Sequence, residues 1–109
     1  MIRAKMCELL ATRAGENSDN FFLVGMLSNL DGLIDAPMED ILETLPLAED
    51  LKHAILIKEG IKGEALQCTI SYERWQIADI RFQNLNRGEI REAYLESIEW
   101  ATNVNQYLG

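Results

Sequence analysis

Apolar residues recur at helical spacing almost throughout this chain, and no stretch alternates with the period of two that a half-buried strand needs. The pattern predicts an all-α fold, a compact bundle of about five to six short helices. A first helix over Ile2 to Ala14 places Met6, Leu9 and Leu10 on one side, and Gly15 is positioned to end it, because glycine adopts the left-handed conformation cheaply. Asn17 and Ser18 offer N-caps for a second helix over Asp19 to Ile34. Its apolar residues, from Phe21, Phe22, Leu23 and Val24 to Leu33 and Ile34, cover most of the circumference, which predicts a central, buried helix. Gly25 and Gly32 fall on nearly the same side, where a neighbouring helix would cross closely.

Pro37 begins a short helix ending at Thr44, with Glu39 and Asp40 at the positive end of its dipole and Pro46 beyond it. A fourth helix covers Ala48 to Glu59, and a fifth starts near Lys62. Tyr72 to Asn86 suits either a continued helix or a folded loop; the favoured reading ends the helix near Trp75 and adds a short turn around Ile77 to Phe82. The last helix follows Asn86, whose spacing from Glu89 resembles a capping box. Ile90, Tyr94, Ile98, Ala101 and Asn105 form one stripe on it, while Glu92, Glu96 and Glu99 face water.

Composition narrows the class. A chain of 109 residues is one domain or part of one, and no linker or repeat divides it. With 10 Lys and Arg against 18 Asp and Glu, the net charge of −8 opposes binding to nucleic acid or to an anionic membrane. No apolar run approaches the ~20 residues of a bilayer span, and the N-terminus lacks the pattern of a signal peptide. Cys7 and Cys68 stand far apart, without a C-x-x-C motif or a nearby His, and read as buried thiols of a reduced, cytoplasmic protein.

The residues offer no catalytic constellation. Metal-dependent helical hydrolases bring several His and Asp side chains together, whereas this chain has only His53, followed by Ala54 and flanked by carboxylates on a solvated edge. Ser18, Ser28 and Ser97 have no histidine in context to activate them. Gly60-Ile61-Lys62-Gly63 is a turn between helices rather than a phosphate cradle. Asp31 and Asp35 interrupt the most apolar helix and must cap it or pair with Arg3 or Arg13, unless they mark a pocket. A helix-turn-helix reader is opposed by the charge, with Arg81, Arg87 and Arg91 scattered among acids. These residues therefore assign no catalytic, cofactor-binding or metal-binding position.

Several segments together resemble one family. They are Arg3-Ala4-Lys5-Met6-Cys7-Glu8-Leu9-Leu10-Ala11, then Phe22-Leu23-Val24-Gly25-Met26-Leu27-Ser28 with Leu30-Asp31, then Pro37-Met38-Glu39 and Leu45-Pro46-Leu47. Tyr72-Glu73-Arg74-Trp75 and Tyr94 to Ala101 continue the pattern. The chain is similar to the HDOD domain, a relative of HD-type metal phosphohydrolases in bacterial signalling proteins, and most resembles the branch fused to EAL-type cyclic-di-GMP phosphodiesterase domains. An HDOD domain is about twice this long, so the chain looks like its C-terminal half, and no family metal ligand maps onto a residue here.

The resemblance implies a non-catalytic regulatory or protein-interaction output module acting on a protein partner or a neighbouring signalling domain. The alternative is a remnant phosphohydrolase or nucleotide-binding domain completed by an N-terminal half. Half of a helical domain leaves an apolar face uncovered, which predicts a homodimer with Phe21, Phe22, Ile90, Tyr94 and Ile98 as the candidate interaction surface.

Overall fold

The computed structural model describes residues 1–108, with side chains through residue 105, and no strand forms among them. Helices α1 (Ile2–Arg13), α2 (Phe21–Leu27), α3 (Leu30–Leu33), α4 (Met38–Glu43), α5 (Glu49–Ile57) and α6 (Gly60–Glu73) follow in order. A 3-10 turn at Ile77–Asp79 then leads to α7 (Arg87–Leu108). The all-α bundle is the one the periodicity predicts.

The centre of the bundle differs from the expectation. It is α1, packed against α2, α6 and α7, that runs through the middle. Ala4, Met6, Cys7, Leu10 and Ala11 are all buried on it, and they join Phe21, Val24, Leu66, Phe82 and Ile90 in one core. Small residues on α1 give it this place, because Ala4 and Ala11 let neighbouring helices approach from several sides. Gly25 on α2 takes that approach to its limit, since a Cβ there would lie 2.6 Å from the Cα of Ala4.

The predicted helix over Asp19 to Ile34 is broken in two. An amide at Asn29 should bond to the carbonyl of Gly25, but Ser28 Oγ donates to that oxygen at 2.7 Å and Asn29 Nδ2 reaches it at 3.5 Å. The Asn29 amide turns to Met26 instead, a tighter bond that closes α2. Arg3 reinforces the break by donating from Nη1 to Ser28 Oγ at 3.2 Å. Beyond it, α3 lies on the surface, so Leu33 and Ile34 are exposed rather than central, and Gly32 has no neighbour for a Cβ to meet. Asn17 and Ser18 do not cap α2 either. Asn17 Oδ1 accepts the Asp19 amide in a local turn, and Asn20 enters the helix from a left-handed conformation.

The capping of α7 follows the sequence pattern closely. Asn86 Oδ1 accepts the Glu89 amide at 2.8 Å, and Glu89 Oε1 accepts the Asn86 amide at 3.1 Å, a reciprocal box. The loop before it closes over Ile80 and Phe82, both buried in the core. No described helix is long and apolar enough to cross a membrane.

Candidate interaction surface

A groove of about 390 Å³ lies among α1, α3, α5 and α6. Asp31 and Gly32 of α3, Met38 of α4 and Ile55 and Leu56 of α5 are among the residues that line it. Large exposed apolar residues follow two of these lining residues in sequence, Leu33 after Gly32 and Ile57 after Leu56. Leu33 is 81% exposed on α3 and Ile57 is 66% exposed at the end of α5, with Ile34 also exposed.

Three cations line this groove against one carboxylate, Asp31. Arg3, Lys58 and Arg74 all line it, in a chain whose net charge is −8. Arg3 is held in place by a two-point ion pair with Glu73, Nη2 to Oε2 at 2.8 Å and Nε to Oε1 at 3.1 Å. The hydrogen-bonded Glu73 carboxylate raises the Arg3 pKa, so the guanidinium stays charged. Lys58 sits in a left-handed turn after α5 and donates to the Ile55 carbonyl. Partial burial, and then the charges of Arg3 and Arg74, lower its pKa. The groove thus sets apolar Met38, Ile55, Leu56 and Ile70 beside three cations and one carboxylate, Asp31, a combination suited to an amphipathic segment bearing carboxylates.

The residues singled out from the sequence lie elsewhere. Phe21 is 3% exposed and Ile90 1%, so both belong to the core and present no surface to a partner. Phe22 is half-buried edge-on against Trp100, their ring centroids 5.7 Å apart. Tyr94 packs on Tyr72 at 4.7 Å, and Ile98 is half-buried on the same helix. Asp31 and Asp35 do not pair with Arg3 or Arg13. Glu73 takes Arg3, and Arg13 bonds to both Glu92 and Glu96, tying α1 to α7 through two acids expected to face only water.

His53 is exposed, with Nδ1 3.2 Å from Glu59 and Nε2 3.8 Å from Glu49. No group of three or more His, Cys, Asp or Glu able to hold a metal ion occurs among the described residues. Cys7 and Cys68 are buried free thiols. Burial pushes Cys7 up to about 12, against a weaker opposing bond from Thr69, and Cys68 up to about 11. Thiols so strongly protonated are poor nucleophiles.

Two curated proteins are similar to this chain over nearly its whole length. The cyclic di-GMP phosphodiesterase CdgJ of Vibrio cholerae is 31% identical over 112 residues, covering 97% of this chain and 26% of that protein. The uncharacterized protein YuxH of Bacillus subtilis is 32% identical over 107 residues, covering 95% of this chain and 26% of its own length. The chain therefore spans about a quarter of the length of the curated relatives it matches. That partial match fits the resemblance to part of an HDOD-like domain. No family model matches the chain. No solved structure matches it either.

Proposed function

We propose that this chain is a non-catalytic, HDOD-like regulatory module of a cyclic-di-GMP signalling protein, and that it works by docking a neighbouring domain onto the groove between α3 and α5. The observation that carries the reading is a groove in which Met38, Ile55, Leu56 and Ile70 share one surface with Arg3, Lys58 and Arg74, with the exposed Leu33 and Ile57 next in sequence to its lining residues Gly32 and Leu56. Similarity to a quarter of a cyclic di-GMP phosphodiesterase supports the signalling context. A donor set with one histidine, and with both thiols buried, supports a binding role over a hydrolytic one.

The mechanism is a shift of packing. The Arg3–Glu73 pair links α1 to the end of α6, and Arg3 also holds the α2–α3 break through Ser28. A partner that engages α3 therefore acts on a segment fastened to the central helix. Coupling of ordinary allosteric size, about 1–3 kcal/mol, would change the activity of an attached enzyme about 5- to 150-fold.

The test is photocrosslinking in the source cells, with a benzophenone amino acid placed at position 33, 57 or, as a control, 99. Adducts from 33 and 57 to a cyclic-di-GMP enzyme, absent from 99, are expected. Adducts only to further copies of this chain would replace the neighbouring domain with a homodimer. Identical patterns from all three positions would refute the docking role of the groove.

A further inference from the structure

A second cleft, of about 240 Å³, lies on another part of the surface, between the end of α6 and the start of α7. Tyr72, Trp75, Ile77 and Ile80 line it with apolar surface, and Arg87 and Arg91 line it too. Three features here break local rules of stability. We propose that they are explained together by a binding site for a nucleoside phosphate, its base stacking on Trp75 and its phosphate meeting Arg87 and Arg91.

The first feature is the backbone at Trp75. Helices α1 and α6 end in the same turn, in which the two residues after the cap donate back to the helix. Gly15 and Glu16 donate to Thr12 and Ala11 after α1, and Trp75 and Gln76 donate to Tyr72 and Ser71 after α6. The left-handed position is filled by glycine in the first turn, with φ of 78°, and by tryptophan in the second, with φ of 54°. A bulky side chain at such a φ is an outlier, and glycine is the residue this turn favours.

The second feature is that the tryptophan gains little burial in exchange. Trp75 is 63% exposed, touching Tyr72 edge-on at 5.6 Å, and Ile77 beside it is exposed too. The ring stands perpendicular to Tyr72, itself packed against Tyr94, and lines the cleft.

The third feature is the pair of arginines. Arg87 and Arg91 are four residues apart on α7, so like charges share one side of the helix near its positive end, where cations are unfavourable. Neither forms an ion pair among the described residues. Guanidinium groups bind phosphate oxygens in a two-point geometry, and a base stacks on an aromatic face whatever its identity. A planar ring carrying an anion satisfies the apolar lining and the arginines at once, whereas a free phosphate uses only the arginines.

The experiment is isothermal titration calorimetry of the chain with GMP, AMP, cyclic di-GMP and inorganic phosphate. At least one nucleotide is expected to bind, with inorganic phosphate ~10-fold weaker or undetectable, since stacking supplies about a tenfold or larger gain. Trp75→Gly and the pair Arg87→Gln with Arg91→Gln should each weaken binding ~10-fold or more. Glycine suits the backbone at 75, so that variant should fold with a melting temperature within a few degrees of the parent. No heat from any nucleotide at millimolar concentration would overturn the site. So would binding that Trp75→Gly leaves unchanged, or phosphate binding as tight as that of the nucleotides. The docking groove shares no lining residue with this cleft, so either result leaves the docking role to its own test.

Discussion

Gly25 on α2 lies directly against the backbone of Ala4 on α1, an approach that a residue with a Cβ at position 25 would not allow. A Cβ at position 25 would lie 2.6 Å from the Ala4 Cα and 2.9 Å from the Arg3 carbonyl oxygen, and both obstacles are backbone. Relief requires the helices themselves to separate, in the middle of a core that is packed at the density of a crystal. Gly25→Ala is therefore expected to lower the unfolding free energy by about 2–3 kcal/mol, the upper part of the overpacking range. Gly32→Ala serves as the contrast, because nothing lies within 4 Å of its Cβ. It should leave stability unchanged or raise it by up to about 1 kcal/mol. Urea unfolding followed by circular dichroism measures both, and a similar loss in the two variants would contradict the close approach.

The ion pair between Arg3 and Glu73 joins residues 70 positions apart and is partly shielded from water. Two parallel bonds in a fixed geometry make it stronger than a typical surface pair. A double-mutant cycle with Arg3→Met and Glu73→Gln should give a coupling of about 1 kcal/mol, at the upper end for exposed pairs. Arg3→Met should cost more than Glu73→Gln, because it also releases Ser28 and the break between α2 and α3. Coupling near zero would reduce the pair to a surface contact.

How much of this could be read in the sequence depended on whether the cause was local. The start of α7 was legible because Asn86 and Glu89 satisfy each other's backbone within one turn. Gly15 was legible for the same reason. The break at Ser28 was not, since apolar periodicity runs straight through it and a distant arginine on α1 helps make it. That break leaves Leu33 and Ile34 exposed rather than central. The stripe of Ile90, Tyr94 and Ile98 looked like an uncovered face, yet α1 covers it at Ile90, and Tyr72 at Tyr94. An apolar stripe shows that something is covered without showing by what.

The cap of α7 should be worth a measurable amount because this helix lies along α1 and supplies Ile90 and Ala93 to the core. Asn86→Ala removes the acceptor for the Glu89 amide and is expected to cost about 1 kcal/mol. Asn86→Ser, which can accept the same bond, should recover most of that loss. Hydrogen exchange at the Glu89 amide would speed up in the alanine variant while amides in the middle of α1 change only with global stability. Equal loss in the serine variant would mean that the capping oxygen is not what holds the helix start.

Alkaline unfolding follows from the two thiols. An ordinary thiol loses its proton near 9.0, so in the unfolded chain both ionise as pH passes that value, whereas burial holds Cys7 to about 12 and Cys68 to about 11. Between these limits the unfolded chain binds fewer protons than the folded one, and stability must fall as pH rises; below about 9 the thiols contribute no slope. Each pKa unit is worth about 1.4 kcal/mol, so the window is wide enough to unfold a domain of ordinary stability. Lys58 acts in the opposite sense: its lowered pKa leaves the unfolded chain with more protons just below 10.5, a smaller gain with rising pH. Urea midpoints between pH 7 and 11 should therefore stay level and then drop. The drop should shrink in a Cys7→Ala, Cys68→Ala variant once compared with its own value at pH 7. At pH 8 a thiol reagent such as dithionitrobenzoate should find neither cysteine in the folded chain and both in urea. Fast reaction of either thiol in the folded chain would show that α1 and α6 open enough to admit the reagent, and the alkaline transition would then report local opening rather than the buried thiols.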